Sequence, residues 1–158
     1  ITSDNYGFNR SGKLKFPGLQ NKISNYLIIR EKEKDDKMLL YKTIEFLYEN
    51  WKLDRPQLIL SVTGGARKFS MPPAMKKAFK RGLIKAAEST NAWIVTGGTN
   101  TGVMKLVGEG IAQFNRKEKI TAIGIATYGV VALREKFTFG VCAFLYINLI
   151  LKMCFNSS

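Results

Sequence analysis

No histidine occurs in this 158-residue chain, and only two cysteines do. Without an imidazole, a Ser–His–Asp relay and a His-ligated metal site are excluded within the chain. Cys142 and Cys154 lack the spacing of a metal centre and imply a reducing compartment or nothing at all. Acidic residues are scarce, 12 against 25 Lys and Arg, which leaves a formal net charge of +13 and a pI near 9.9. That excess favours polyanionic partners: nucleotide phosphates, nucleic acid, the inner membrane surface or an acidic neighbour. The plain alternative is a well-solvated surface. No signal peptide opens the chain, and Ile1 in place of an initiator Met predicts a fragment or a processed form.

What is present is an ordinary globular composition, 46% hydrophobic and 23% charged, at the size of one domain. Within it one phrase occurs twice, as Val62-Thr63-Gly64-Gly65 and as Val95-Thr96-Gly97-Gly98. Each copy follows an apolar run and precedes a helical pattern. A strand that ends in Thr-Gly-Gly and turns into a helix sets backbone N–H groups, with no Cβ in the way, beside a helix N-terminus. That geometry suits a phosphate or another anion.

Around the two phrases the chain alternates. Residues 1–29 are polar and Gly-punctuated until Tyr26-Leu27-Ile28-Ile29, which reads as a short strand. The mixed-sign run Arg30 to Lys37 reads as a solvated loop or helix start. From Met38 to Trp51, Leu40, Ile44, Leu47 and Trp51 recur at helical spacing and predict the buried face of a helix, ended at Arg55-Pro56. Gln57 to Val62 predicts a buried parallel strand. A second helix is expected from Ala74 to Glu88, capped near Ser70 or Met71, with Met75, Phe79, Leu83 and Ala86 or Ala87 inward. Its other side carries Lys76, Lys77, Lys80, Arg81 and Lys85, a pattern that is more often the wet side of a helix than a binding stripe.

Thr90-Asn91 then turns the chain into a buried strand, Ala92 to Thr96. A helix from Val103 to Phe114 follows, with Val103, Val107 and Ile111 in register. A third apolar strand runs from Ile120 to Ala126. The alternation predicts an α/β fold of the Rossmann-like class, three-layered, with a parallel sheet and right-handed crossovers, expected to be incomplete at the C-terminus. In such sheets ligands gather outside the carboxyl ends of the strands, where all three strands here deliver Gly-containing loops.

Past Arg134-Glu135-Lys136 the composition changes. Phe137 to Leu151 carries no charge, yet falls short of the about 20 residues with which a helix spans a bilayer. A buried helix, a last strand, a tilted span and residues foreign to the domain all remain open. The expected organisation is an N-terminal extension and first strand over 1–36, a nucleotide-binding core over 37–135 and a hydrophobic divergent tail over 136–158.

The loop Gly98-Thr99-Asn100-Thr101-Gly102 offers hydroxyls, an amide and backbone donors that could hold a phosphate or a ribose without a charged side chain. The alternative is a tight turn. Arg67 and Lys68 beside the first loop strengthen the nucleotide reading. Neither loop matches G-x-x-x-x-G-K-[ST], and the first is no dinucleotide G-x-G-x-x-G, so ATP hydrolysis and simple NAD binding lack support. No carboxylate pair converges on this edge. Glu109 is a lone helix residue, and no catalytic residue or metal ligand is nominated.

The series Leu60 to Ala66, Phe79 to Ala87 and Ala92 to Lys105 closely resembles, in order and spacing, the N-terminal cytosolic melastatin homology region of TRPM-type transient receptor potential cation channels. Gly124-Ile125-Ala126-Thr127-Tyr128-Gly129-Val130-Val131 continues it, where that family commonly has Trp in place of Tyr128. The likeness covers about Gly7 to Arg134. The second loop is also similar to the Gly-Gly-x-x-x-Gly-[Val/Leu]-Met turn of SLOG-type nucleotide-binding folds, which include cytokinin-activating phosphoribohydrolases. The acid-bearing Pro-Gly-Gly-x-Gly-Thr-x-x-Glu segment of those enzymes is absent from this sequence, so their activity is not implied.

The resemblance implies a regulatory or assembly part of a tetrameric, calcium-permeable or monovalent-cation channel subunit. That subunit would lie in the plasma membrane with this region on the cytosolic side, while the fragment alone would be cytoplasmic. It implies other channel subunits as partners, a membrane contact only through channel segments not contained here, and no cofactor. The ligand implied is ADP-ribose or a related nucleotide, bound by Thr63, Gly64, Gly65, Arg67 and Lys68 and by Gly97, Gly98, Thr99, Asn100, Thr101 and Gly102. The pattern breaks after Arg134, which predicts a truncated or mis-spliced product. Two alternatives stand beside this: a phosphoribohydrolase-like enzyme, and a basic module for RNA or anionic lipid. The aromatics are not interleaved with the basic residues as a stacking platform for nucleic acid requires.

Overall fold

The computed structural model describes residues 10–15, 23–30, 37–64, 70–114, 120–127, 129 and 147–153. Six strands and three helices lie among them: β1 (Arg10–Lys15), β2 (Ile23–Arg30), α1 (Lys37–Glu49), β3 (Leu58–Val62), α2 (Pro73–Ser89), β4 (Ala92–Thr96), α3 (Gly102–Phe114), β5 (Ala122–Thr127) and β6 (Ile147–Met153). The strands form one sheet in the order β1-β2-β6-β5-β4-β3. β3, β4 and β5 are parallel, as the alternation predicts, with Val62 opposite Thr96 and Thr96 opposite Gly124. β6 runs antiparallel between β5 and β2, and β1 closes the far side as an antiparallel neighbour of β2.

Strand alternation gives the sheet two different faces, and each face collects its own core. On one, Trp93 of β4 and Ile123 of β5 pack with Leu27 and Ile29 of β2 and with Phe46, Leu47 and Trp51 at the end of α1. On the other, Ile94 and Ala122 pack with Ile84 and Ala87 of α2 and with Val107 and Ile111 of α3. The result is the three-layer α/β arrangement. Fully burying an aliphatic side chain of this kind contributes about 1.5–3 kcal/mol, so the two clusters carry the fold. The indole N–H of Trp93 donates to the carbonyl of Asp54 at 3.1 Å, which lets a large polar-tipped ring sit in the core.

Leu47, Trp51, Ala87, Val107 and Ile111 are buried as expected, and α1 and α2 depart from the expected facing at particular positions. In α1, Leu40 and Ile44 stand 67% and 44% exposed, and the buried row is Thr43, Phe46 and Leu47. Two apolar rows lie side by side on this helix, and contact with the sheet selects the one containing Thr43. The cost of burying its hydroxyl is offset by donation to the Leu39 carbonyl at 2.7 Å. In α2, Ile84 and Ala87 are buried and Phe79 and Leu83 are half-buried against the same cluster, whereas Met75 and Ala86 face outward. Its N-cap is Pro72, with Pro73 in the first turn and no side-chain cap, so neither Ser70 nor Met71 takes that role.

β3 also differs from expectation. Among the described residues no strand pairs with its outer side, and Leu58 and Ile59 are substantially exposed. A strand with the composition of a buried one therefore stands at a sheet edge. β1 escaped the sequence reading because Arg-Ser-Gly-Lys-Leu-Lys has too little apolar alternation, and its pairing with β2 holds it in place. The turn at Asn91 is as read, with a φ of 44° that asparagine tolerates better than most residues.

Candidate functional site

Because β3, β4 and β5 are parallel, their carboxyl ends reach the same edge of the sheet. Thr63 and Gly64 leave β3 there, and both are exposed. Gly64 lies against the first turn of α3: a Cβ built on it would stand 3.0 Å from Cγ1 of Val103. The start of the first loop and the helix behind the second are thus neighbours. Gly65, Arg67 and Lys68 lie outside the described residues, as does Tyr128.

The second loop is described completely. Thr96 is buried at the end of β4, and its Oγ1 accepts a hydrogen bond from the Gly98 N–H at 3.1 Å. That amide is therefore already paired within the loop. Gly98 adopts a φ of +67°, and a Cβ there would come 3.1 Å from Cα of Gly124 on β5. The reciprocal approach is tighter, since a Cβ on Gly124 would stand 2.6 Å from the Gly98 Cα. A glycine in the loop after β4 and one on β5 let the loop fold down over β5, which only a missing Cβ on both sides permits.

Past this contact the chain rises to solvent. Asn100 and Thr101 are exposed, Thr99 is half-buried, and the hydroxyls of Thr99 and Thr101 lie 3.0 Å apart. The Thr101 carbonyl accepts the Lys105 N–H at 3.2 Å, so α3 begins directly behind the hydroxyl pair. The first turn of α3 contains no acidic residue and carries exposed Lys105. Unpaired N–H groups of a helix start and a cation in the same turn make this end electropositive. Lys105 and Gly124 are additions to the sequence-derived set. Lys105 was legible as the only charged residue in that first turn, whereas Gly124 gave no signal because its role depends on contact across strands.

Chemically, the edge offers main-chain donors, two hydroxyls, an amide side chain and a positive helix end. The main-chain N–H groups at a helix start are of the kind that suits an anion, while the hydroxyls and the amide side chain can both donate and accept. Among the described residues no group of three or more Asp, Glu and Cys gathers as a metal site would need. No described helix is long and apolar enough to cross a membrane.

A three-layer α/β domain with glycine-rich loops at the carboxyl ends of adjacent parallel strands is of the Rossmann-like class, of which SLOG folds are one form. Residues 26–149 match the family described as SLOG in TRPM, and the chain belongs to that family. It is 40% identical over 129 residues to transient receptor potential cation channel subfamily M member 2 of Rattus norvegicus, a match covering 78% of this chain and 8% of that protein. A subfamily M member-like 2 protein of Nematostella vectensis is 50% identical over 92 residues, 56% of this chain and 6% of that protein. Subfamily M member 1 of Mus musculus is 38% identical over 137 residues, 84% of this chain and 8% of the relative. The chain therefore spans less than a tenth of the relatives it matches.

Proposed function

We propose that this chain acts as the N-terminal cytosolic regulatory and assembly region of a TRPM-like, calcium-permeable cation channel, with its loop edge serving as a sensor for ADP-ribose or a related nucleotide. The observation that carries the reading is the adjacency of two Thr-Gly-Gly strand ends, one of them running into α3, in a chain of the TRPM SLOG family. In this reading the phosphates rest at the start of α3, near Gly97, Gly98, Thr99, Asn100, Thr101 and Gly102. Thr63 and Gly64 close the other side, and Gly65 is assigned with them by its place in the sequence. Arg67 and Lys68 supply charge from the first loop. The region contributes recognition and no chemistry, its partners are the other subunits of the channel, and its place is the cytosolic side of the plasma membrane.

Thermal unfolding in the presence of ADP-ribose tests the sensing role. A ligand at 100 times its Kd stabilises by about 2.7 kcal/mol, which for a domain of this size raises Tm by about 5–10 °C. Tripolyphosphate at equal charge serves as the control. The reading expects ADP-ribose to exceed the control and an R67A/K68A variant to lose most of the shift. No shift at millimolar ADP-ribose, or an equal shift with tripolyphosphate, overturns sensing by this chain.

A further inference from the structure

We propose that the outward side of α2 is a docking surface for an acidic amphipathic helix. The proposal concerns a different face from the loop edge and holds whether or not a nucleotide binds there.

The charge pattern is the first ground. Lys77, Arg81 and Lys85 recur at i, i+4 and i+8, so they rise along one side of the helix, and all three are exposed. None of them forms an ion pair with any described residue. Lys80, which faces α3, does find a carboxylate, Glu109 at 3.4 Å. Of the two half-buried cations of α2, Lys80 is matched and Lys76 is not, and the three exposed ones have no carboxylate among the described residues. The only acidic residue in α2 is Glu88, near its end. A row of three like charges on one helix side is mildly self-repelling, and an acidic row on a partner would relieve that repulsion.

Gly82 supplies the second ground. It sits in the middle of α2, exposed, without positive φ, and a Cβ added to it would meet nothing within 4 Å. A mid-helix glycine costs about 1 kcal/mol relative to alanine. In Gly110 of α3 the same cost has a visible return, because a Cβ there would press on Lys80 at 3.3 Å. Gly82 has no such internal reason. It stands next to exposed Ala78 on the helix surface, and Met75 is 58% exposed one turn earlier. Beside the basic row there is thus a shallow floor where another helix could approach closely, with an apolar side chain at one end. Charge complementarity names the occupant: a helix with carboxylates along one side and small or apolar residues next to them.

The test is fluorescence anisotropy with a labelled 21-residue helical peptide. It bears Glu at i, i+4 intervals along one side and Ala and Leu on the adjacent strip, and binding is measured at 150 mM salt. The peptide is expected to bind the wild-type chain. K77E/R81E/K85E is expected to weaken binding at least 30-fold, while K37E/K42E/K52E, with the same change in net charge, weakens it less than threefold. Gly82→Leu is the decisive variant. It should raise Tm by removing a helix-interior glycine into open space, and yet weaken the peptide at least tenfold by filling the floor. Absence of binding to the wild type overturns the proposal. So does a control triple reversal as damaging as the α2 reversal, or a Gly82→Leu chain that binds unchanged, since then only diffuse charge is at work.

Discussion

The same four residues, Val-Thr-Gly-Gly, end two neighbouring strands, and the two copies live in different surroundings. The copy on β4 is enclosed: its strand is flanked on both sides, Thr96 is buried, and Gly98 is pressed against Gly124 by backbone contact. The copy on β3 is open: among the described residues its strand is at the edge, Thr63 and Gly64 are exposed, and a Cβ on Gly64 would meet the side chain of Val103 rather than backbone. One sequence phrase therefore serves two physical roles. On β4 glycine is demanded by close packing, and on β3 it leaves backbone bare at the surface. A residue pattern states what a backbone can do, and its neighbours decide whether that freedom is spent internally or left for a ligand.

Strand cores provide the widest separation between the two regions. Ile94→Ala on β4, fully buried, is expected to lose about 2–5 kcal/mol. Ile59→Ala on β3, 57% exposed, should lose less than about 1 kcal/mol. Urea unfolding of the two variants checks this, and equal losses would mean that β3 is covered in solution.

At the glycines the contrast narrows. Gly124→Ala forces a Cβ to 2.6 Å from a backbone atom that cannot rotate away, and an overpacked site of this kind costs about 1–3 kcal/mol. Gly98→Ala combines a φ of +67° with a 3.1 Å approach to backbone and should fall in the same range. Gly64→Ala brings a Cβ to 3.0 Å from Cγ1 of Val103, a side-chain atom rather than backbone, so the expected loss is at the low end of that range, about 1 kcal/mol. Calorimetric Tm values in that order support the comparison, and a Gly64 variant as damaged as Gly124→Ala breaks it.

The smallest effect belongs to the contact between α2 and α3. Lys80 and Glu109 pair at 3.4 Å with the carboxylate 44% exposed. Solvent screening limits such a pair to about 0.5 kcal/mol in a double-mutant cycle. A coupling several times larger would show that the pair is shielded by something docked on this side of the molecule.

Much of the architecture was legible in the sequence because it depends on local patterning. Apolar runs of strand length separated by helical periodicity locate β3, α2, β4, α3 and β5 within a few residues, and a strand–helix–strand alternation leaves little choice but a parallel sheet. The Thr-Gly-Gly turns could likewise be placed at one sheet edge from order alone, since parallel strands must all end on the same side. Asn91 announced its turn because asparagine tolerates a left-handed backbone.

Other features depended on contacts between distant residues, and no local pattern encodes those. Leu40 and Ile44 make as good a helical row as the one containing Thr43, and only the sheet beneath α1 distinguishes them. β3 is as apolar as a central strand, and its place at the edge follows from which strands flank it. β6 fills the gap between β2 and β5, a partnership across most of the chain's length that an apolar run could not specify. Gly124 matters through a single approach to Gly98, two residues far apart in sequence that meet because their strands are adjacent. Strand identity and turn chemistry are short-range properties of the backbone and could be read directly. Facing, edge position and the difference between the two glycine loops arise from packing, which exists only once the sheet has formed.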